Sequence, residues 1–187
     1  MAKETRLRIL KAAQLAFSEK GFNGVSVEEI AEMAGVNKTV VFYYFPSKAD
    51  LFAAVWEQSI SELEEHIFEE IKDESVYLKK VKKFLKSYID FVRNKRDIMK
   101  LIEREKVGVL SEKNDSIISR KLKEKYKNFV KKIVDLLNEG KELREIPNEV
   151  SAEETANIIT NSIGATIFDP NISLENMEKI ILRTITK

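Results

Sequence analysis

Apolar residues recur at intervals of three and four along most of the chain, the period of an amphipathic helix and not of a strand. In residues 4–20 the stripe is Leu7, Leu10, Ala13 and Phe17, broadened by Ile9 and Ala16, and Gly21 stops it. A longer stripe of Leu51, Phe52, Val55, Trp56, Ile60, Leu63, Ile67 and Ile71 predicts a helix from about Ser47 to Lys72. Ser47 stands at its N-cap, with Asp50 three positions on. Further helices are expected over 75–94, over 96–110 with a break near Gly108, and over 116–139 ending at Gly140. Another is expected over 151–168 with Ser151 as its cap, and a last one after Ser173. The expected fold class is all-α.

Between the first and the long helix lies SVEEIAEMAGVNKTVVFYYF, residues 26–45. Ser26 with Glu29 makes a capping box, and Val25 with Ile30 can staple it. Ile30, Ala31 and Ala34 give one apolar face, and Gly35 suits the left-handed residue that ends a helix. Asn37 is placed to cap a second helix starting at Lys38. Two helices joined by a Gly-containing turn form a helix-turn-helix, whose second helix enters a DNA major groove. On that helix Val41 and Phe45 face inward, whereas Lys38, Thr39, Phe42 and Tyr43 face outward. One cation, one hydroxyl and two aromatics suit phosphates and base edges. Capped helix pairs also serve as plain scaffolding in all-α proteins, so spacing alone leaves a protein-binding role open.

Composition narrows the classes. The 187 residues are 43% hydrophobic, with six Gly and three Pro, which favours a packed helical core. There is no Cys, so disulfides, thiolate metal sites and cysteine catalysis are excluded together. No apolar run approaches the roughly 18–20 residues of a membrane span, and residues 1–10 lack a signal-peptide pattern. A cytoplasmic protein without membrane partners is expected. The net charge is +1, so any affinity for nucleic acid must come from local donors and not from bulk charge.

The chain resembles the N-terminal domain of TetR-type transcriptional regulators. The resemblance is carried by Thr5, Ile9, Ala12-Ala13, Phe17, Gly21-Phe22, Ser26, Ile30-Ala31, Ala34-Gly35-Val36, Tyr44-Phe45, Lys48 and Leu51-Phe52. It covers residues 5–52. It implies a helix-turn-helix DNA-binding domain over 1–46 and a helical effector-binding and dimerisation domain over 47–187. It further implies a homodimeric repressor that binds a palindromic double-stranded operator and is released by a small-molecule effector. Carried over by position, Lys38, Thr39 and Phe42 face bases, while Thr5, Ser26, Tyr43, Tyr44 and Lys48 hold phosphates. Asn37, Thr39, Val40 and Phe42 depart from the family's common Ser, Gly, Thr and Tyr. Phe42 lacks a hydroxyl to donate, and the Thr39 methyl suits a thymine methyl.

For an effector, the inward residues Trp56, Ile60, Phe84, Tyr88, Phe91, Met99, Tyr126 and Phe129 together suggest a hydrophobic ligand with aromatic character, although a stripe at helical spacing is usually core. The helix over 151–168 is apolar around most of its circumference and must be covered on several sides. With the resemblance, Ile158, Ile159, Ile163, Gly164 and Ile167, joined by Ile181 of the last helix, are the expected dimer interface. No catalytic residue, metal site or cofactor is expected: the single histidine, His66, sits in an acidic run, and no phosphate loop or metal-ligand spacing occurs. A helical protein-protein interaction module and a small-molecule-binding protein without operator recognition are the alternatives.

Overall fold

The computed structural model describes residues 2–111, 116–169 and 171–185, with side chains through Arg183. Nine helices and no strand occur among them. They are α1 (Ala2–Lys20), α2 (Val27–Met33), α3 (Lys38–Tyr44), α4 (Lys48–Glu69) and α5 (Tyr77–Asn94), followed by α6 (Arg96–Leu110), α7 (Ile117–Glu142), α8 (Ala152–Ala165) and α9 (Leu174–Ile185). They form two compact units. One comprises Met1–Ile60 and Asp97–Lys125, the other Ser61–Arg96 and Tyr126–Lys187.

Side-chain caps set several of the helix starts. Ser26 accepts the Glu29 N–H at 3.1 Å, Ser47 that of Asp50 at 3.1 Å, Ser151 that of Glu154 at 3.3 Å and Ser173 that of Asn176 at 3.3 Å. Each satisfies one of the four amides that a helix start leaves without a partner. Asn37 occupies the N-cap position of α3 in extended conformation, but its side chain makes no capping bond.

In the first unit, α1 buries Ile9, Leu10, Ala12, Ala13, Ala16 and Phe17. Of the expected stripe only Leu7 is exposed, and Ala12 is buried in addition to it. Phe52 meets Phe17 and Phe22 edge to face at 5.3 and 5.1 Å, Phe17 and Phe22 lie tilted at 6.1 Å, and Phe52 continues to Trp56 at 6.1 Å. The buried Trp56 indole donates to the Leu122 carbonyl at 3.2 Å. In the second unit, Phe84, Tyr88, Phe129 and Tyr126 form a chain of ring contacts at 6.1–6.3 Å.

Two glycines behave otherwise than the sequence suggests. Gly108 lies inside α6 and does not break it. Helix α7 runs through Gly140 to Glu142, and the bend after it is taken by Arg144 at φ 59°. Gly140 is needed for packing: a Cβ there would lie 2.1 Å from the Tyr77 hydroxyl.

Candidate nucleic-acid interface

The turn between α2 and α3 is closed by Gly35 at φ +63°, where its N–H reaches the Glu32 carbonyl and the Val36 N–H the Ala31 carbonyl, both at 3.0 Å. This six-to-one pattern satisfies the last carbonyls of α2 and reverses the chain within three residues. From α1, Arg8 donates to the Gly35 carbonyl at 3.3 Å, and the Arg6 guanidinium lies 5.1 Å above the Phe45 ring. Neither arginine was legible as a brace, because its partner lies 27 or more positions away and no local pattern marks it.

Helix α3 is anchored by Val41 and Phe45, both buried. Its other side carries Lys38, Thr39, Phe42 and Tyr43, all exposed, with Phe42 at 38% and Tyr43 at 82%. Large aromatics are seldom left so open without a partner to cover them. The Lys38 ammonium pairs with Glu28 of α2 and lies 5.6 Å from the Phe42 ring centroid. That hydrogen bond holds the Glu28 carboxyl below its usual pKa. Lys20 pairs with Glu29 beside it.

The remaining sequence-predicted contacts are distributed around this face. Tyr44 is half-buried with its ring edge-on to Tyr43 at 5.2 Å. Ser26 is exposed and already engaged as the α2 cap, and Thr5 is half-buried on α1. Lys48 stands in the first turn of α4 with its ammonium 4.7 Å from the Phe22 ring. All eight predicted DNA contacts belong to the first unit.

The eight pocket candidates are all buried. Trp56, Ile60 and Met99 belong to the first unit, and Phe84, Tyr88, Phe91, Tyr126 and Phe129 to the second. They pack as core, and none lines any of the described cavities. Of the interface candidates, Ile159, Ile163, Gly164, Ile167 and Ile181 are covered by the chain itself, whereas Ile158 is 60% exposed. Ile158 and the 64%-exposed Ile180, which the sequence reading did not single out, border a groove of about 420 Å³ between α8 and α9, with Ile159, Met177 and Ile181 beneath. His66 is exposed, and among the described residues no cluster of three or more potential metal ligands occurs. None of the described helices is long and apolar enough to cross a membrane.

Residues 9–55 match the family model described as bacterial regulatory proteins, tetR family. The HTH-type transcriptional regulator RutR of Escherichia coli K12 is 56% identical over 50 residues, which is 27% of this chain and 24% of RutR. The HTH-type transcriptional repressor NicS of Pseudomonas putida is 36% identical over 90 residues, 46% of this chain and 42% of NicS. The chain thus aligns with less than half the length of either relative. Among solved structures, a regulatory protein in the tetR family from Rhodococcus RHA1 superposes with a TM-score of 0.82 at 15% identity, covering 97% of both chains. The transcriptional regulator FadR of Bacillus subtilis, solved in complex with stearoyl-CoA, superposes with a TM-score of 0.78 at 19% identity and the same coverage. At these identities the likeness beyond residue 55 is one of fold.

Proposed function

We propose that the chain is a ligand-responsive, DNA-binding transcriptional repressor of the TetR family, whose model its residues 9–55 match. Residues 1–46 are the DNA-binding domain and residues 47–187 the effector and dimerisation domain. The observation that carries the reading is α3: Val41 and Phe45 fix it from behind while Lys38, Thr39, Phe42 and Tyr43 stand open in front. Lys38, Thr39 and Phe42 read bases, and Thr5, Ser26, Tyr43, Tyr44 and Lys48 hold phosphates.

Two copies bind one palindrome, with their recognition helices about 34–36 Å apart or a multiple of it. The pairing face is the α8–α9 surface, where Ile158, Phe168, Ile172 and Ile180 are exposed together. The effector is a hydrophobic small molecule that opens the aromatic cluster of Phe84, Tyr88, Tyr126 and Phe129. The stearoyl-CoA bound to FadR supports a lipophilic class of ligand. Operator binding is tested by titrating fluorescent duplexes selected from a random pool at several salt concentrations. The reading requires affinity that falls steeply as salt rises, because neutralised phosphates release counterions. Binding that is indifferent to salt, or absent, favours the protein-interaction alternative.

A further inference from the structure

The first unit holds a cavity of about 380 Å³ to which α3 contributes no residue. Its walls come from the α1–α2 turn (Phe22), α4 (Phe52), α6 (Glu105 and Val109) and α7 (Ser119 and Leu122). This is a volume at the small end of the range for small-molecule sites, about 300–1,000 Å³.

The lining combines two features that seldom meet without purpose. Phe22 and Phe52 are packed edge to face at 5.1 Å and present ring surface to the cavity. Glu105 of α6 is the one charged side chain among the described lining residues. Its Oε1 accepts the Phe22 N–H at 2.9 Å, and no other described residue bonds to this carboxylate. Gly21, at φ +74°, lets it approach so closely: a Cβ there would stand 3.0 Å from Oε1. The Lys48 ammonium lies 4.7 Å from the Phe22 ring centroid, and the Arg104 stem lies beside Gly21.

We propose that this cavity is a binding site for a small lipophilic amine, with its ammonium on Glu105 and its apolar body against Phe22 and Phe52. An uncharged apolar ligand would strip water from the carboxylate and return nothing, and an anion would meet it head-on. An ammonium supplies a charge-assisted hydrogen bond and finds aromatic rings within reach. An ammonium that draws the carboxylate toward itself through the second oxygen lengthens the Oε1 bond that braces the α1–α2 turn, so occupancy loosens the support of α2 and α3. That last consequence rests on the DNA-binding reading, whereas the site itself does not.

The test uses the full chain and two probes that share a ring system and differ in charge, 1-naphthylmethylamine and 1-naphthaleneacetic acid, titrated calorimetrically without DNA. The amine is expected to bind at least tenfold more tightly than the acid. Glu105→Gln keeps an acceptor for the Phe22 N–H and should bring the two probes within threefold. Val109→Phe, which fills the cavity, should abolish amine binding while leaving the circular-dichroism spectrum and melting temperature near wild type. No amine binding to the wild type overturns the site, as does binding that both variants leave unchanged. If Val109→Phe does not fold, the Glu105→Gln comparison alone decides. A parallel duplex titration without probe separates the two claims: DNA binding without amine binding sinks the site alone, and amine binding without DNA binding sinks only the regulatory consequence.

Discussion

Lys38 at the start of α3 and Glu28 in the first turn of α2 form an ion pair across the helix-turn-helix. Both side chains are about half exposed, so the pair adds little to stability. Its consequence falls on recognition. On the proposed reading, Lys38 must exchange Glu28 for an acceptor on DNA, and the Glu28 charge opposes the approach of phosphates. Glu28→Gln is therefore expected to strengthen binding to random-sequence duplex by about two- to fivefold at roughly 0.1 M salt and to gain less on a selected site. Lys38→Ala should weaken binding and flatten the preference for selected over random sequence. Fluorescence anisotropy with both duplexes reads both effects, and a preserved selectivity ratio in both variants would remove Lys38 from the base-reading set.

Lys48 is expected to act differently. It stands in the first turn of α4 with its ammonium on the Phe22 ring, and its proposed role is to hold a phosphate. Lys48→Ala should lower affinity for every duplex by a similar factor and reduce the slope of log affinity against log salt by about 1. A loss confined to the selected sequence would contradict the phosphate role.

Tyr77 offers a test of packing in the second unit. Its hydroxyl is buried with no hydrogen-bond partner among the described residues, and its ring lies against Gly140. An unpaired buried donor costs about 1–3 kcal/mol, so Tyr77→Phe should raise stability by about 1 kcal/mol in urea denaturation. Burial, reinforced by the charges of Glu139 and Glu145, raises the phenol's pKa above its usual value. The neutral form is thus the one the fold accepts. The stability it contributes is complete below the unfolded value of about 10 and is lost as pH climbs above it. Wild type should lose stability more steeply than Tyr77→Phe above about pH 10, and parallel curves would refute the assignment.

Two glycine substitutions separate backbone strain from crowding. Gly35 has φ +63° and open space where a Cβ would go, so Gly35→Ala should cost only the left-handed penalty of about 1–2 kcal/mol. At Gly140 the new methyl would collide with the Tyr77 ring and hydroxyl. Gly140→Ala should cost about 1–3 kcal/mol or more, with part recovered by Tyr77→Leu in the same chain. Additive effects of the last pair would show that the contact does not exist.

For the proposed dimer, Ile158→Glu and Ile180→Glu place charge on side chains that are already exposed in the single chain. Each should shift the protein to monomer in sedimentation at micromolar concentration without lowering its helix content. Dimers that persist in the double variant would move the interface elsewhere.

The elements that local chemistry determines were legible. Ser26, Ser47, Ser151 and Ser173 cap the helices they precede, and the inward and outward sides of α3 follow from seven residues of periodicity. What periodicity cannot do is choose between adjacent apolar residues when a helix is apolar over a wide arc. Leu7 therefore stands exposed while Ile9 is buried, and Ile158 stands exposed while Ile159 is buried. Gly140 reads as a terminator from its own neighbourhood, but the reason for it is Tyr77, 63 positions away. The Lys38–Glu28 pair and the Arg8 brace depend likewise on how α1, α2 and α3 fold against one another, which no local pattern encodes.

The most direct test of the central claim is a salt titration of the wild-type chain and Lys38→Ala on a duplex selected from a random pool and on a scrambled duplex of equal length. If the outer side of α3 reads DNA, the wild type prefers the selected duplex, its affinity for both falls with salt, and Lys38→Ala abolishes most of the preference. Equal affinity of the wild type for the two duplexes, or a preference that survives the loss of Lys38, would contradict it.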